Sequence, residues 1–332
     1  LLLIITINKG VINMNMKKIG LTALAASLVS FSANAGEMTV SGAASISVGG
    51  YSAGAMANTP KTFSMGNQFT VSGGGELDNG LTVAYSMQVD HGVPLDDHSV
   101  TVSSEGMGTL VFAGHGGSSA TSSIDGSVAG DIWDGFDGAA TVAVGVTGAA
   151  MKDSAPGDNS IFYTLPSMVD GLSVFASMNP QESAVNETET GFGATYTGIE
   201  GLTVSYATTD IESGTTATSG DHTAMKVSYA YGPVTVGYSK NDHDIGTVAS
   251  DTELTAWNVA YTVSDELSVS YGSEELAVGS NATDAEYSAL VVAYTSGGMT
   301  LTGKMEAADN VNHGTSAAAD QEYYILTAAF AF

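Results

Sequence analysis

From residue 38 onward the chain alternates apolar and small polar residues with a period of two, and few other patterns are so restrictive. In residues 38–48 the even positions are mostly apolar and the odd ones mostly Ser, Thr or Ala. Residues 81–87, 202–206, 234–238 and 267–271 repeat the scheme. Period-two alternation marks β-strands with two unlike faces. Here the second face is made of hydroxyls and glycine and is seldom charged, which suits a wet interior lined by small groups.

Composition narrows the choices. Charged residues are only 13%, apolar residues 43%, Gly 41 and Pro 6 of 332, so the chain is neither a disordered acidic tail nor a helical protein. All eight basic residues are Lys, against 35 acids, for a net charge of −27. A chain without Arg and with this excess of acid is a poor partner for nucleic acid, whose phosphates demand a basic surface. The absence of Cys excludes disulfides, thiolate metal sites and cysteine nucleophiles.

The first 35 residues read as a targeting segment. Lys17 and Lys18 precede an apolar run over residues 19–29, and Ala33-Asn34-Ala35 supplies the small-x-small pattern of a cleavage site. The run is too short to span a bilayer as a helix, which needs about 20 apolar residues. Residues 1–13 precede better starts at Met14 and Met16 and read as an upstream extension. Removal after Ala35 takes away Lys9, Lys17 and Lys18 and no acid, leaving five Lys against 35 acids, a net of −30. No apolar run in residues 36–332 approaches 18 residues.

Two kinds of connection alternate between the strands. Short turns fall at residues 77–80, 105–108, 169–171, 199–201, 231–233, 264–266 and 296–298. Long acidic connections fall at 52–61, 91–97, 179–189, 210–221, 241–251, 274–284 and 309–321, with a much longer one between Gly114 and Asn159. Seven turns and eight loops make the connections of 16 strands, within two strands, since residues 139–151 leave room for another hairpin. An even count places both termini at the end with the short turns, and short turns opposite long loops are the signature of an outer-membrane barrel. Tyr196, Tyr229, Tyr261 and Tyr294 recur just before short turns, as an interfacial aromatic girdle requires.

The last strand, residues 323–332, is amphipathic and ends in Phe, with Tyr324, Leu326, Ala328, Phe330 and Phe332 on one face. This resembles the sorting signal of Gram-negative outer-membrane proteins, and the chain from residue 36 looks like the general porins, particularly the alphaproteobacterial type. The resemblance implies a 16-stranded antiparallel transmembrane β-barrel, usually a homotrimer, whose third loop folds into the pore. Here that loop spans about residues 115–158. It further implies folding by the barrel assembly machinery, contact with outer-membrane lipid and lipopolysaccharide, and Tyr324, Leu326, Phe330 and Phe332 as the assembly signal.

A closed barrel of about 16 strands leaves an aqueous channel, and its narrowest section sets function. Asp125, Asp131, Asp134, Asp137, Asp153 and Asp158 lie on the third loop and are the candidates for a pore constriction. Strand parity turns Lys226 and Lys304 toward the lumen, since an outward Lys near the bilayer midplane would cost roughly 2–4 kcal/mol. Lys61, Lys152 and Lys240 fall in loops or at strand ends. The clustered Arg wall usual in the family has no match here, which favours a simply acidic pore. The expected activity is passive diffusion of small hydrophilic solutes and ions with a preference for cations.

A sugar-selective channel would line its path with aromatic rings, and the inner faces assigned from sequence hold few. A secreted acidic Ca²⁺-binding surface protein would show repeats of fixed period and no terminal amphipathic strand. The six His (His91, His98, His115, His222, His243, His313) all sit in or beside long loops, where a metal cluster or pH gate is less expected than chance placement. No G-x-S-x-G element is present, no phosphate-binding Lys follows the Gly114–Gly117 stretch, and residues 131–138 lack EF-hand spacing, so neither a catalytic nor a specific metal site is expected. No cofactor is expected beyond nonspecific divalent cations at the acidic outer loops.

Overall fold

The computed structural model describes residues 38–54, 61–90, 95–137, 158–180, 188–212, 219–246, 251–279, 281–317 and 319–332. The expected leader, residues 1–35, Lys152 and Asp153, His91, and the stretch considered for an extra hairpin lie outside the described residues. In chain order the strands are β1 (Thr39–Ala53), β2 (Thr62–Glu76), β3 (Thr82–Asp90), β4 (His98–Ser104), β5 (Gly108–His115), β6 (Ser160–Thr164), β7 (Leu172–Asn179) and β8 (Thr188–Ile199). They continue as β9 (Leu202–Glu212), β10 (Gly220–Tyr231), β11 (Val234–Ile245), β12 (Thr252–Thr262), β13 (Leu267–Val278), β14 (Ala285–Ser296), β15 (Met299–Asp309) and β16 (Gln321–Ala331). One helical turn, α1 (Asp134–Asp137), lies between β5 and β6.

Each strand pairs antiparallel with its chain neighbours, and β16 pairs with β1 to close the barrel. The seam runs from Ala43 opposite Ala331 to Ala53 opposite Glu322. Gly42 and Phe332 exchange backbone hydrogen bonds of 2.7 and 2.9 Å just beyond it. Closure leaves no unpaired edge, which is the condition for strands to cross a bilayer. The number and order of the strands, and the alternation of short turns with long loops, match the sequence reading.

Parity separates the faces as the alternation requires. Outward positions carry Ile46, Val48, Phe69, Phe112, Phe192, Val236, Val259, Leu290, Val292 and Leu326, all exposed. In water such a continuous apolar belt would be a liability, whereas acyl chains solvate it. Tyr196, Tyr229, Tyr261 and Tyr294 stand exposed on this belt near the short turns. A second aromatic row, Tyr206, Tyr238, Trp257 and Tyr271, occupies the side nearer the long loops. On β12, Trp257, Val259 and Tyr261 span the belt from one row to the other.

The strands rise further toward the long loops than the sequence suggested. Lys240, expected in a loop or at a strand end, lies within β11 and faces outward, one outward position beyond Tyr238. There it pairs with Asp242 at 3.0 Å and Glu253 at 3.1 Å. Its position past the aromatic row keeps the ammonium out of the apolar belt, and two carboxylates accompany it.

Candidate functional site

The inward face is a wall of hydroxyls, and the third loop is stapled to it. From β5 the chain turns into the barrel, where the Ala120 backbone N–H donates to Ser177 Oγ at 2.7 Å. Thr121 and Thr209 share a hydroxyl hydrogen bond of 2.8 Å. The Asn241 amide donates to the Asp125 carbonyl, and the Val128 N–H donates to Ser239 Oγ at 3.0 Å. Further on, Glu274 accepts from Ser127 Oγ, from Ile132 N–H at 3.0 Å and from Trp133 N–H at 2.9 Å. Tyr51 Oη then donates to the Gly135 carbonyl at 3.2 Å. The loop therefore passes β7, β9, β11 and β13 and reaches β1. Buried backbone amides need partners, and the Ser, Thr and Glu of alternate strands supply them.

Glycine makes room for this approach. A Cβ on Gly272 would lie 2.7 Å from Ala129 Cβ, and one on Gly237 would lie 3.0 Å from Val128 Cβ. At those two inward positions only a bare backbone lets the loop lie flat on the sheet. Residues 127–131 form a tight turn in which Asp131 Oδ1 accepts the Ser127 N–H at 2.8 Å. Ser127 Oγ in turn accepts the N–H groups of Ala129, Gly130 and Asp131 at 3.1 Å each. Asp131 takes φ 51°, a left-handed conformation that Asp tolerates better than most residues.

An apolar anchor completes the attachment. Ile132 and Phe136 are buried against Leu254, Leu276, Ala285, Tyr287 and Ala308 on the inner wall. Burying two such side chains contributes about 1.5–3 kcal/mol each. Phe136 meets Tyr51 edge-on at 6.3 Å and lies 5.8 Å from Tyr287, while Tyr51 and Tyr323 are tilted together at 4.9 Å. The expectation of few inward aromatics is thus corrected. Tyr51, Tyr287 and Tyr323 all face in, and all sit at the ends of their strands nearest the long loops, beyond or at the edge of the alternating runs from which the inner faces were assigned.

The six expected constriction residues separate into groups. Asp125 and Asp131 face Lys226 of β10, which points inward as parity required. Asp134 opens α1, exposed to the lumen. Asp131 and Asp134 border a cavity of about 820 Å³ together with Tyr51, Tyr323, Lys304 and Glu306. Lys304 also points inward, and its Nζ lies 3.6 Å from Glu306 Oε1. Asp137 closes α1, and its side chain, like all of Asp153, lies outside the described residues. Asp158 stands instead at the root of the loop, 3.5 Å from His115, which is 3.6 Å from Asp97.

Glu274 and Glu306 were missed because the first reads as loop and the second as one more acid in an alternating strand. A signal existed for Glu274: it keeps the inward parity of Ser270 and Gly272. Tyr324, Leu326, Phe330 and Phe332 lie on the outward face of β16, with Lys61 Nζ 5.0 Å above the Tyr324 ring. Asp96, Asp97 and His115 place ligand-type atoms within 4.8 Å of one another near the loop root, apart from the lumenal cavity.

A family model described as Gram-negative porin matches residues 20–313. Among solved structures, a porin refined at 1.8 Å resolution is 18% identical with a TM-score of 0.65, over 89% of this chain and 100% of its own. The outer-membrane expressed OmpT of Vibrio cholerae is 14% identical with a TM-score of 0.64, over 91% and 99%. An anion-selective porin from Comamonas acidovorans is 14% identical with a TM-score of 0.63, over 89% and 99%. No curated protein matches the sequence.

Proposed function

The chain belongs to the Gram-negative porin family, and from that premise we propose that its outer-membrane channel passes small hydrophilic solutes and ions by passive diffusion and favours cations. One observation carries the reading. The described part of the third loop, residues 116–137, lies against the inner wall of a closed barrel and narrows the lumen, and Asp131, Asp134 and Glu306 face the space beside it against Lys304. Size is limited by the loop, and the carboxylates raise the local concentration of cations inside a low-dielectric wall. No step needs a cofactor.

The same proposal includes assembly as a homotrimer, cleavage of the leader after Ala35, folding through the barrel assembly machinery, and acidic outer loops that meet lipopolysaccharide and divalent cations. Reconstitution of the purified protein into planar bilayers tests the channel itself. Stepwise, ohmic conductance that scales with salt supports it, and an intact barrel that leaves the bilayer insulating overturns it.

A further inference from the structure

The cavity beside the constriction has two chemically different walls. On one side stand the rings of Tyr51 and Tyr323, tilted at 4.9 Å, with Ile325 continuing the apolar surface. On the other side the third loop presents Asp131 and Asp134. Glu306 is matched by Lys304 at 3.6 Å, and Asp131 is occupied by the Ser127 N–H and faces Lys226. Among the described residues the Asp134 carboxylate forms no ion pair or side-chain hydrogen bond, and it is exposed to the cavity. With Glu306 matched by Lys304 and Asp131 by Lys226, the Asp134 carboxylate leaves this space negative.

We propose that this cavity is a binding subsite for organic ammonium ions that carry an apolar body. The proposal rests on the channel reading above and adds a solute class to it. About 820 Å³ is the size of a small-molecule site, and such sites combine apolar walls with a few fixed polar groups. The ammonium would meet Asp134, while the apolar body lies over the Tyr51–Tyr323 pair, where ring faces attract both hydrocarbon and positive charge. An organic anion would meet the same rings but find its one ammonium already engaged by Glu306. A small inorganic cation would satisfy the carboxylates and leave the rings unused.

Benzylammonium, ethylammonium and benzoate added to single channels in potassium chloride test this, because they separate charge from ring. The expected result is a concentration-dependent interruption of current by benzylammonium, weaker interruption by ethylammonium and none by benzoate. Asp134→Asn and Tyr323→Leu should each weaken the benzylammonium block by about tenfold, the scale of one lost charge or ring contact. Asp134 is exposed on the loop, so its variant keeps the barrel, and heat-modifiable migration verifies that for Tyr323→Leu. Equal block by benzylammonium and benzoate, or block that survives both substitutions, overturns the subsite while the conductance itself still supports a channel. Wild-type protein that inserts and carries no current overturns the channel reading and the subsite together.

Discussion

The Glu274 carboxylate, on β13, accepts the Trp133 backbone N–H at 2.9 Å across 141 residues of chain. The same carboxylate holds Ile132 N–H and Ser127 Oγ, so one inward side chain grips both ends of the turn that precedes α1. It is buried, with three donors converging on it, as a buried carboxyl group requires. Residues 127–133 are thereby a fixed part of the wall.

Glu274→Ala removes this grip and leaves three donors unmet, at a cost of about 1–3 kcal/mol for each that stays buried. The strands and the seam are untouched, so the barrel persists while residues 127–136 loosen. Single-channel conductance should rise and become noisier. Glu274→Gln, which still accepts hydrogen bonds through one oxygen, should fall between the two.

Gly272→Val tests the same attachment by space alone. A side chain there would meet Ala129 at 2.7 Å, against loop backbone that has nowhere to retreat but the lumen. The variant should keep heat-modifiable migration and show an altered conductance and solute-size cutoff in liposome swelling. Gly303→Val is the control, because a Cβ on outward Gly303 meets nothing within 4 Å, and it should leave conductance as in the parent.

Lys226→Gln removes the cation that faces Asp125 and Asp131. Two carboxylates then act on the lumen with less compensation, so the reversal potential in a salt gradient should move further in the cation direction. A shift toward anions would place the selectivity elsewhere.

Phe332→Ala separates assembly from stability. The backbone bonds between Gly42 and Phe332 survive the substitution, and the ring faces outward, 78% exposed. Refolded protein should therefore melt close to the parent, whereas the amount of folded barrel recovered from outer membranes should fall several-fold. Unchanged recovery would remove Phe332 from the assembly signal.

The fold was legible because its two requirements are local. Alternation is written in consecutive residues, and the short turns interrupt it at regular places, so strand order, parity at Lys226 and Lys304, and the outward face of β16 all follow without long-range information. The site was only half legible. Loop position put Asp125, Asp131 and Asp134 on the third loop, but of the residues that seat it, Ser177 and Thr209 are ordinary members of strands, and Asn241 and Glu274 read as the first residues of long connections. Their role arises from contacts between distant segments, and no local pattern records those. Lys240, Asn241 and Glu274 were put at a strand end or in a loop for a simpler reason: acidic and polar residues look like loop where the strand extends beyond the apolar belt.

The reversal potential in a potassium chloride gradient reports directly on whether acids line the narrowest part of the channel. At low salt, where charges act over about 10 Å, an acid-lined constriction should give a potential of the sign set by cations. Raising both sides toward 1 M shortens that reach to about 3 Å, and the potential should shrink toward zero. A potential of the sign set by anions, or none at low salt, would rule out a cation-preferring channel.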